Sequence, residues 1–245
     1  MRPMGFPEVL ELLVVLRDHN PANEDARFLV HCLNNISGSR AQMLQDLWVT
    51  FERPGRRNGF FVEFGAGDGV RYSNTAYLER ELGWTGIVAE PARIYRTQLR
   101  ANRRCFVDNR CVWTKTGETL LFNQAAIPAH STLDAFSDSD NLGPTRETGA
   151  RYEVETVSLN DLLAHWNAPR RIDYLSADTE GSELAILQAL DFERYDVGLI
   201  SVEHNHTDKR REIFDLLTSK GYRRTLEAMS GVDDWYVKTG WSASG

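Results

Sequence analysis

The stretch FVEFGAGDG (61–69) decides how this chain is read. With Phe60 ahead of it, FFVEF is a short apolar run of β-formers, as a strand buried on both faces should be. It ends in glycines at alternate positions, Gly65, Gly67 and Gly69, with the acids Glu63 and Asp68 on either side. Alternate glycines let the backbone turn tightly and approach a ligand where any Cβ would intrude. Residues 72–83 then carry Tyr77, Leu78 and Leu82 at helical spacing. A helix there is expected to aim its first amide groups back at the ligand.

Moving outward, GIVAEP (86–91) is a second buried strand, stopped by Pro91, with Glu90 at its tip 21 residues after Gly69. A carboxylate at that point can accept two hydrogen bonds from a ribose diol, the geometry that nicotinamide-binding proteins use. Strand, glycine turn, helix and acid together point to an adenosine-containing cofactor, held by Glu63, Gly65, Ala66, Gly67, Asp68, Glu90 and Pro91. Two features favour S-adenosylmethionine over NAD. Acids on both sides of the turn suit a sulfonium and an ammonium, and would repel a pyrophosphate. The tail from Tyr222 to Lys238 also reads as two strands around Ser230-Gly231, the antiparallel hairpin that usually closes a methyltransferase sheet.

Between these ends, strands and helices alternate, which implies a mostly parallel sheet of Rossmann-like α/β class. A helix is expected over about 92–102, a strand at 105–107, and strand, turn, strand over 112–127 with Thr116-Gly117 at the turn. The polar stretch 131–149 reads as a mobile loop beside a site. A helix at about 158–166, a strand at 172–177, a helix at 182–190, a strand at 197–203 and a helix at about 208–220 follow. The chain divides into a helical extension or lid (1–58) and a Rossmann-like domain (59–240). In the extension, Val9, Leu12, Leu13, Leu16, Leu29, Leu33, Leu44, Leu47 and Trp48 fall at helical spacing, with turns at Asn20-Pro21 and Ser37-Gly38.

The other two strand tips carry the reactive groups: Asp178-Thr179-Glu180-Gly181-Ser182-Glu183, and Glu203-His204-Asn205-His206. In an open α/β sheet both face the crevice of the glycine turn. An aliphatic hydroxyl that accepts a methyl group must lose its proton, which calls for a base or a metal. His204 is the candidate base. The alternative is a hard divalent cation such as magnesium on Asp178, Glu203 and Asn205, similar to the catechol-type methyltransferases. Asp178 and Glu180 could equally be acids that favour a helix N-terminus. Trp84, Trp113, Trp166, Trp235 and Tyr236 are candidates to line an acceptor pocket, although core packing is the commoner role of each.

Composition sets outer bounds. Among 245 residues, 42% are hydrophobic and 26% charged, as in an ordinary globular chain. A net charge of −7 argues against nucleic acid as the main partner. Arg53, Arg56 and Arg57, and then Arg93, Arg96, Arg100, Arg103 and Arg104, read as a solvated loop and helix face. Three cysteines with no CxxC fit a reducing compartment, hence the cytoplasm. The run Val9–Leu16 is too short to span a bilayer and is read as a helix. The apolar N-terminal helices offer a surface through which two chains could pair.

FVEFGAGDG (61–69), GIVAEP (86–91), VSLNDLL (157–163) and DYLSADTEGSELAILQAL (173–190) make the chain resemble the FkbM family of methyltransferases. SNTAYLERELGW (73–84) and AQMLQDLWV (41–49) are similar to a subgroup related to the Star-like proteins. The resemblance spans about 41–238 and implies a class I methyltransferase fold that uses S-adenosylmethionine. It implies that Glu63, Gly65, Gly67, Asp68 and Glu90 bind the cofactor, with Asn74 reaching its carboxylate. Asp178 and Glu180 would stand at the junction with the acceptor, a hydroxyl of a small molecule or glycan. One departure is LSADTEG, where the family usually has a lysine and a β-branched residue, and residues 1–40 have no counterpart. The rival functions are an NAD-dependent oxidoreductase and a non-catalytic interaction protein on the same fold.

Overall fold

The computed structural model describes Val14 and residues 24–241. The expected helix over Val9–Leu16, Val14 apart, and the turn at Asn20-Pro21 lie outside the described residues. In chain order the elements are α1 (Glu24–Asn35), α2 (Gln45–Glu52), β1 (Phe60–Phe64), α3 (Ala76–Leu82), β2 (Thr85–Ala89), α4 (Arg96–Asn102) and β3 (Phe106–Asp108). Next come β4 (Cys111–Trp113), β5 (Thr119–Gln124), β6 (Thr132–Leu133), α5 (Gly143–Arg146) and β7 (Ala150–Ser158). The chain continues through α6 (Leu159–His165), β8 (Arg171–Ala177), α7 (Glu183–Ala189), β9 (Asp196–Glu203), α8 (Lys209–Ser219), β10 (Tyr222–Thr225) and β11 (Asp233–Lys238).

Seven strands form one sheet in the order β10-β11-β9-β8-β1-β2-β3. β3, β2, β1, β8 and β9 are parallel, and β11 runs antiparallel between β9 and β10. The central strands are buried and mostly apolar because both faces are covered, with Glu63, Asp173, Ser176 and Ser201 among the buried polar exceptions. On one face Val62, Ile87, Leu175 and Ile200 pack with Leu162, Leu163, Ile186 and Leu187. On the other Phe61, Val88, Tyr174 and Leu199 pack with Trp48, Leu78 and Trp235. Strand order reverses between β1 and β8, and at that switch point the carboxyl ends of β1, β2, β8 and β9 open a crevice.

A second sheet, β4-β7-β5-β6, lies between β3 and α6 in the chain. The strand–turn–strand expected over 112–127 is present as β4 and β5, yet the two strands pair with opposite edges of β7 and not with each other. β7 carries no strand signature in the sequence, because its outer residues Ala150–Glu153 are largely exposed and Arg151, Glu153 and Glu155 interrupt the apolar ones. The stretch 131–149, read as a mobile loop, is folded around Arg146. That side chain is fully buried, pairs with Asp140 and Glu180, and donates to the His130 and Ser137 carbonyls.

Ahead of β1, α2 packs Trp48 onto the main sheet, stacked on Trp235 with ring centroids 5.3 Å apart. Gln45 Nε2 donates to Asp233 Oδ2 at 2.6 Å. The arginine pattern needs one correction: Arg103 is not solvated. Its side chain is fully buried, paired with Glu63 and Glu79.

Candidate active site

The crevice holds a cavity of about 730 Å³. Its floor is the glycine turn. Gly65 has φ +85, and a Cβ there would fall 1.5 Å from the Asp178 carbonyl oxygen, so only glycine lets β1 and β8 meet at this point. Gly67, at φ +54, has only the Tyr95 ring within 4 Å, so a Cβ there would project into open space that the bare backbone leaves clear. This is a cradle of the kind a bound ligand fills.

Glu90, at the tip of β2, is buried, and Gly67 N–H donates to its Oε2 at 2.9 Å and Ala92 N–H to its Oε1 at 2.7 Å. Burial pushes its carboxyl up to about 7, against those two bonds. Asp68 Oδ1 accepts from Val70 N–H and Arg71 N–H, both at 2.8 Å, which shapes the turn. Gly65, Ala66, Gly67, Asp68, Glu90 and Pro91 all line the cavity, with Ile94, Tyr95, Cys111 and Val112 as further walls.

Glu63 and Asn74 do not line it. Glu63 points behind the turn, where its carboxylate takes Asn74 N–H, the Ser73 and Thr75 hydroxyls and Arg103. Asn74 Nδ2 donates to Ser176 Oγ at 2.8 Å. The helix expected from residue 72 begins at Ala76, and the amide at its approach serves Glu63 instead of a ligand.

At the opposite wall stand Asp178, Glu180, Glu203 and Asn205. Carboxylate oxygens of Asp178, Glu180 and Glu203 lie within 4.8 Å of one another. Glu203 Oε2 is buried without a partner. Glu180 is held by Arg146 Nη2 at 2.8 Å and Asn205 Nδ2 at 3.2 Å. Its backbone sits at φ +60, a strained conformation costing about 1–3 kcal/mol. Burial raises all three carboxyls above their ordinary range; neighbouring acids add to it, Glu180 acting on Asp178, Asp178 on Glu203, and Asp140 on Glu180 with Arg146 opposing.

Asn205, expected from sequence beside Asp178 and Glu203, lines the same wall; its amide N–H groups go to Glu180 and Asp140, and Oδ1 is the atom an amide offers a cation. Glu180 stands with Asp178 and Glu203 as a third carboxylate.

His204 is not in this cavity. It is buried behind β9, its Nδ1 accepting from His206 N–H at 3.0 Å. Its Nε2 therefore carries the proton, without a hydrogen-bond partner and 3.7 Å from Asp234 Oδ1. The imidazole that does line the cavity is His130, which sequence reasoning passed over because it lies in an irregular stretch without a motif. The five large aromatics are elsewhere too. Trp84, Trp235 and Tyr236 are core, Trp113 packs on Phe136, and Trp166 stacks on Phe106.

The model of the methyltransferase FkbM domain matches residues 63–224, from the glycine turn to β10. The chain belongs to the FkbM methyltransferase family. The class I order, with one antiparallel strand near the edge of the sheet, is the architecture of this FkbM domain. Among solved structures it is similar to a precorrin-6y C5,15-methyltransferase from Geobacter metallireducens, at 12% identity and TM-score 0.43, covering 80% of this chain and 86% of that one. It is also similar to an O-methyltransferase from Bacillus cereus solved with SAH, at 15% identity and TM-score 0.37, covering 97% and 91%. No curated protein matches the chain. Among the described residues, no helix is long and apolar enough to cross a membrane.

Proposed function

We propose that this FkbM domain transfers a methyl group from S-adenosylmethionine to a hydroxyl of a small molecule or glycan. The observation that carries the reading is the bond from Gly67 N–H to Glu90, which joins the ligand cradle to a buried acid at the second strand tip. Glu90 lines the cavity, and each of its oxygens, taken by one backbone N–H, has acceptor capacity left for a ribose diol. Pro91, Ile94, Tyr95, Cys111 and Val112 would flank the adenine, and Gly65, Ala66, Asp68 and Asp178 the methionine end. When bound, S-adenosylmethionine supplies an electrophilic methyl on a sulfonium, and the protein's main task is to align the acceptor with it. Asp178 and Glu180 would hold the acceptor beside the methyl group through hydroxyls other than the reacting one.

Magnesium, or another hard divalent cation, is a second component of this reading. Asp178, Glu180 and Glu203 supply oxygen ligands, and the unpartnered Glu203 Oε2 favours it. Residues 1–58 are read as an extension to a methyltransferase domain at 59–240, and the exposed Val30 and Leu33 of α1 as a surface for pairing two copies. Three free cysteines accord with a cytoplasmic setting. The direct test is incubation with methyl-labelled S-adenosylmethionine and hydroxyl or amine acceptors. Label recovered in methyl ethers supports the reading, and label confined to methylamines contradicts it.

A further inference from the structure

Among the described residues, His130 contributes the one imidazole that lines the cavity, and the cavity wall includes no lysine. It closes the turn Pro128–His130, directly ahead of β6. That segment is fixed against the acidic wall at several points. Thr132 Oγ1 donates to the Thr179 and Glu180 carbonyls at 3.2 and 2.9 Å, and Arg146 Nε donates to the His130 carbonyl at 2.7 Å. His130 therefore stands two residues from a clamp onto the Asp178–Glu180 tip.

The protonation of the ring follows from its neighbours. His130 Nδ1 lies 3.1 Å from Thr145 Oγ1. Thr145 Oγ1 gives its single proton to the Leu142 carbonyl at 2.7 Å, so toward the ring it can only accept. His130 Nδ1 must then be the donor, and Nε2 holds the lone pair. Burial, and next the nearby Arg146 guanidinium, depress the basicity of the ring, with Asp140 opposing, so the imidazole is neutral near pH 7. His204 has the reverse arrangement: Nδ1 is the acceptor, Nε2 is protonated, and the ring lies outside the cavity.

We propose that His130 is the catalytic base of the methyl transfer, its Nε2 taking the proton of the acceptor hydroxyl. As the acceptor oxygen bonds the methyl carbon, its O–H bond breaks with the electron pair left on oxygen. The methyl–sulfur pair returns to sulfur. The proton passes to Nε2, and the resulting imidazolium releases it to water before the next cycle. Thr145 is the positioning residue that keeps Nε2 bare. The inference rests on the proposed methyltransferase reading.

The test reads ring protonation directly. Nitrogen-15-labelled protein is examined by long-range proton–nitrogen NMR with SAH present, near neutral pH, and His130 is assigned by its loss in His130→Gln. The expected signal has a protonated Nδ1 and a bare Nε2, and Thr145→Val moves the proton to Nε2. A protonated Nε2 in the wild type, or a ring indifferent to Thr145→Val, overturns the inference. SAH affinity of His130→Gln is expected to stay within about twofold of wild type, and a large loss would make His130 a cofactor ligand. With catechol or methyl glucoside, whichever the wild type methylates, His130→Gln should lose about a hundredfold or more in kcat with KM little changed. Wild-type kcat in that variant refutes the base. Failure of the wild type to bind SAH strikes the methyltransferase reading instead, and leaves the NMR result to stand alone.

Discussion

Gly67 donates its backbone N–H to the carboxylate of Glu90 at 2.9 Å, so the glycine turn and the second strand tip form one preorganised unit. Because Ala92 N–H binds the other oxygen at 2.7 Å, the carboxylate is fixed before any ligand arrives. Glu90→Gln removes the charge from a pair of ribose hydrogen bonds, each worth about 1.5–3 kcal/mol to an ionised acceptor. SAH affinity should fall about tenfold to a hundredfold in a calorimetric titration.

The same residue gives a pH dependence. Burial lifts the Glu90 carboxyl to about 7, above its unfolded value, so the folded state binds the extra proton between the two. Its contribution to stability is full below the unfolded pKa and is lost as pH rises through about 7. Ligand binding has the opposite sense, since only the ionised form accepts both ribose protons. SAH affinity should rise between about pH 6 and 8, and the rise should vanish in Glu90→Gln.

Gly65→Ala tests the junction of β1 with β8. A Cβ there would lie 1.5 Å from the Asp178 carbonyl oxygen on a backbone at φ +85. Neither the strand nor the carbonyl can yield without parting the sheet. The expected outcome is insoluble protein, or a thermal midpoint lowered by about 10 °C or more in a melting curve.

The acidic wall makes a prediction about cations. Asp178, Glu180 and Glu203 are raised by burial and by neighbouring acids, so as they ionise with rising pH the fold loses stability. A bound divalent cation would hold them ionised and return that stability. Manganese or magnesium should therefore raise the melting temperature more at about pH 8 than at about pH 6. Glu203→Gln should abolish the difference.

Arg146→Met leaves Asp140 and Glu180 buried without their shared cation. Breaking a buried pair of this kind costs about 3–5 kcal/mol. For a chain of this size that is roughly 6–20 °C in melting temperature. Limited proteolysis should then cut within 126–149, where the wild type resists.

The main sheet was legible in the sequence because its signals are local. FFVEF and GIVAE are mostly apolar runs, each with one acid, Gly65 and Pro91 stop them, and Ser230-Gly231 marks the final turn. β7 was not, since Arg151, Glu153 and Glu155 hide a strand whose partners lie 26 to 45 residues away in the chain. Site residues divided in the same way. Gly65, Gly67 and Glu90 belong to a contiguous motif with a geometric meaning. Glu63 carries the same motif signal, but its carboxylate is taken by Arg103, 40 residues on. His204 sits at a strand tip yet turns to the far side, and His130 reaches the cavity from a turn with no periodicity. Which way a side chain faces at a strand tip depends on partners that the local sequence does not contain.

The measurement that bears most directly on the central claim is calorimetric titration of the wild type and Glu90→Gln with SAH, and with NAD as a control. The account predicts that SAH binds the wild type at one site, that Glu90→Gln weakens it about tenfold or more, and that NAD does not bind. Tight NAD binding, or SAH binding indifferent to Glu90, would contradict it.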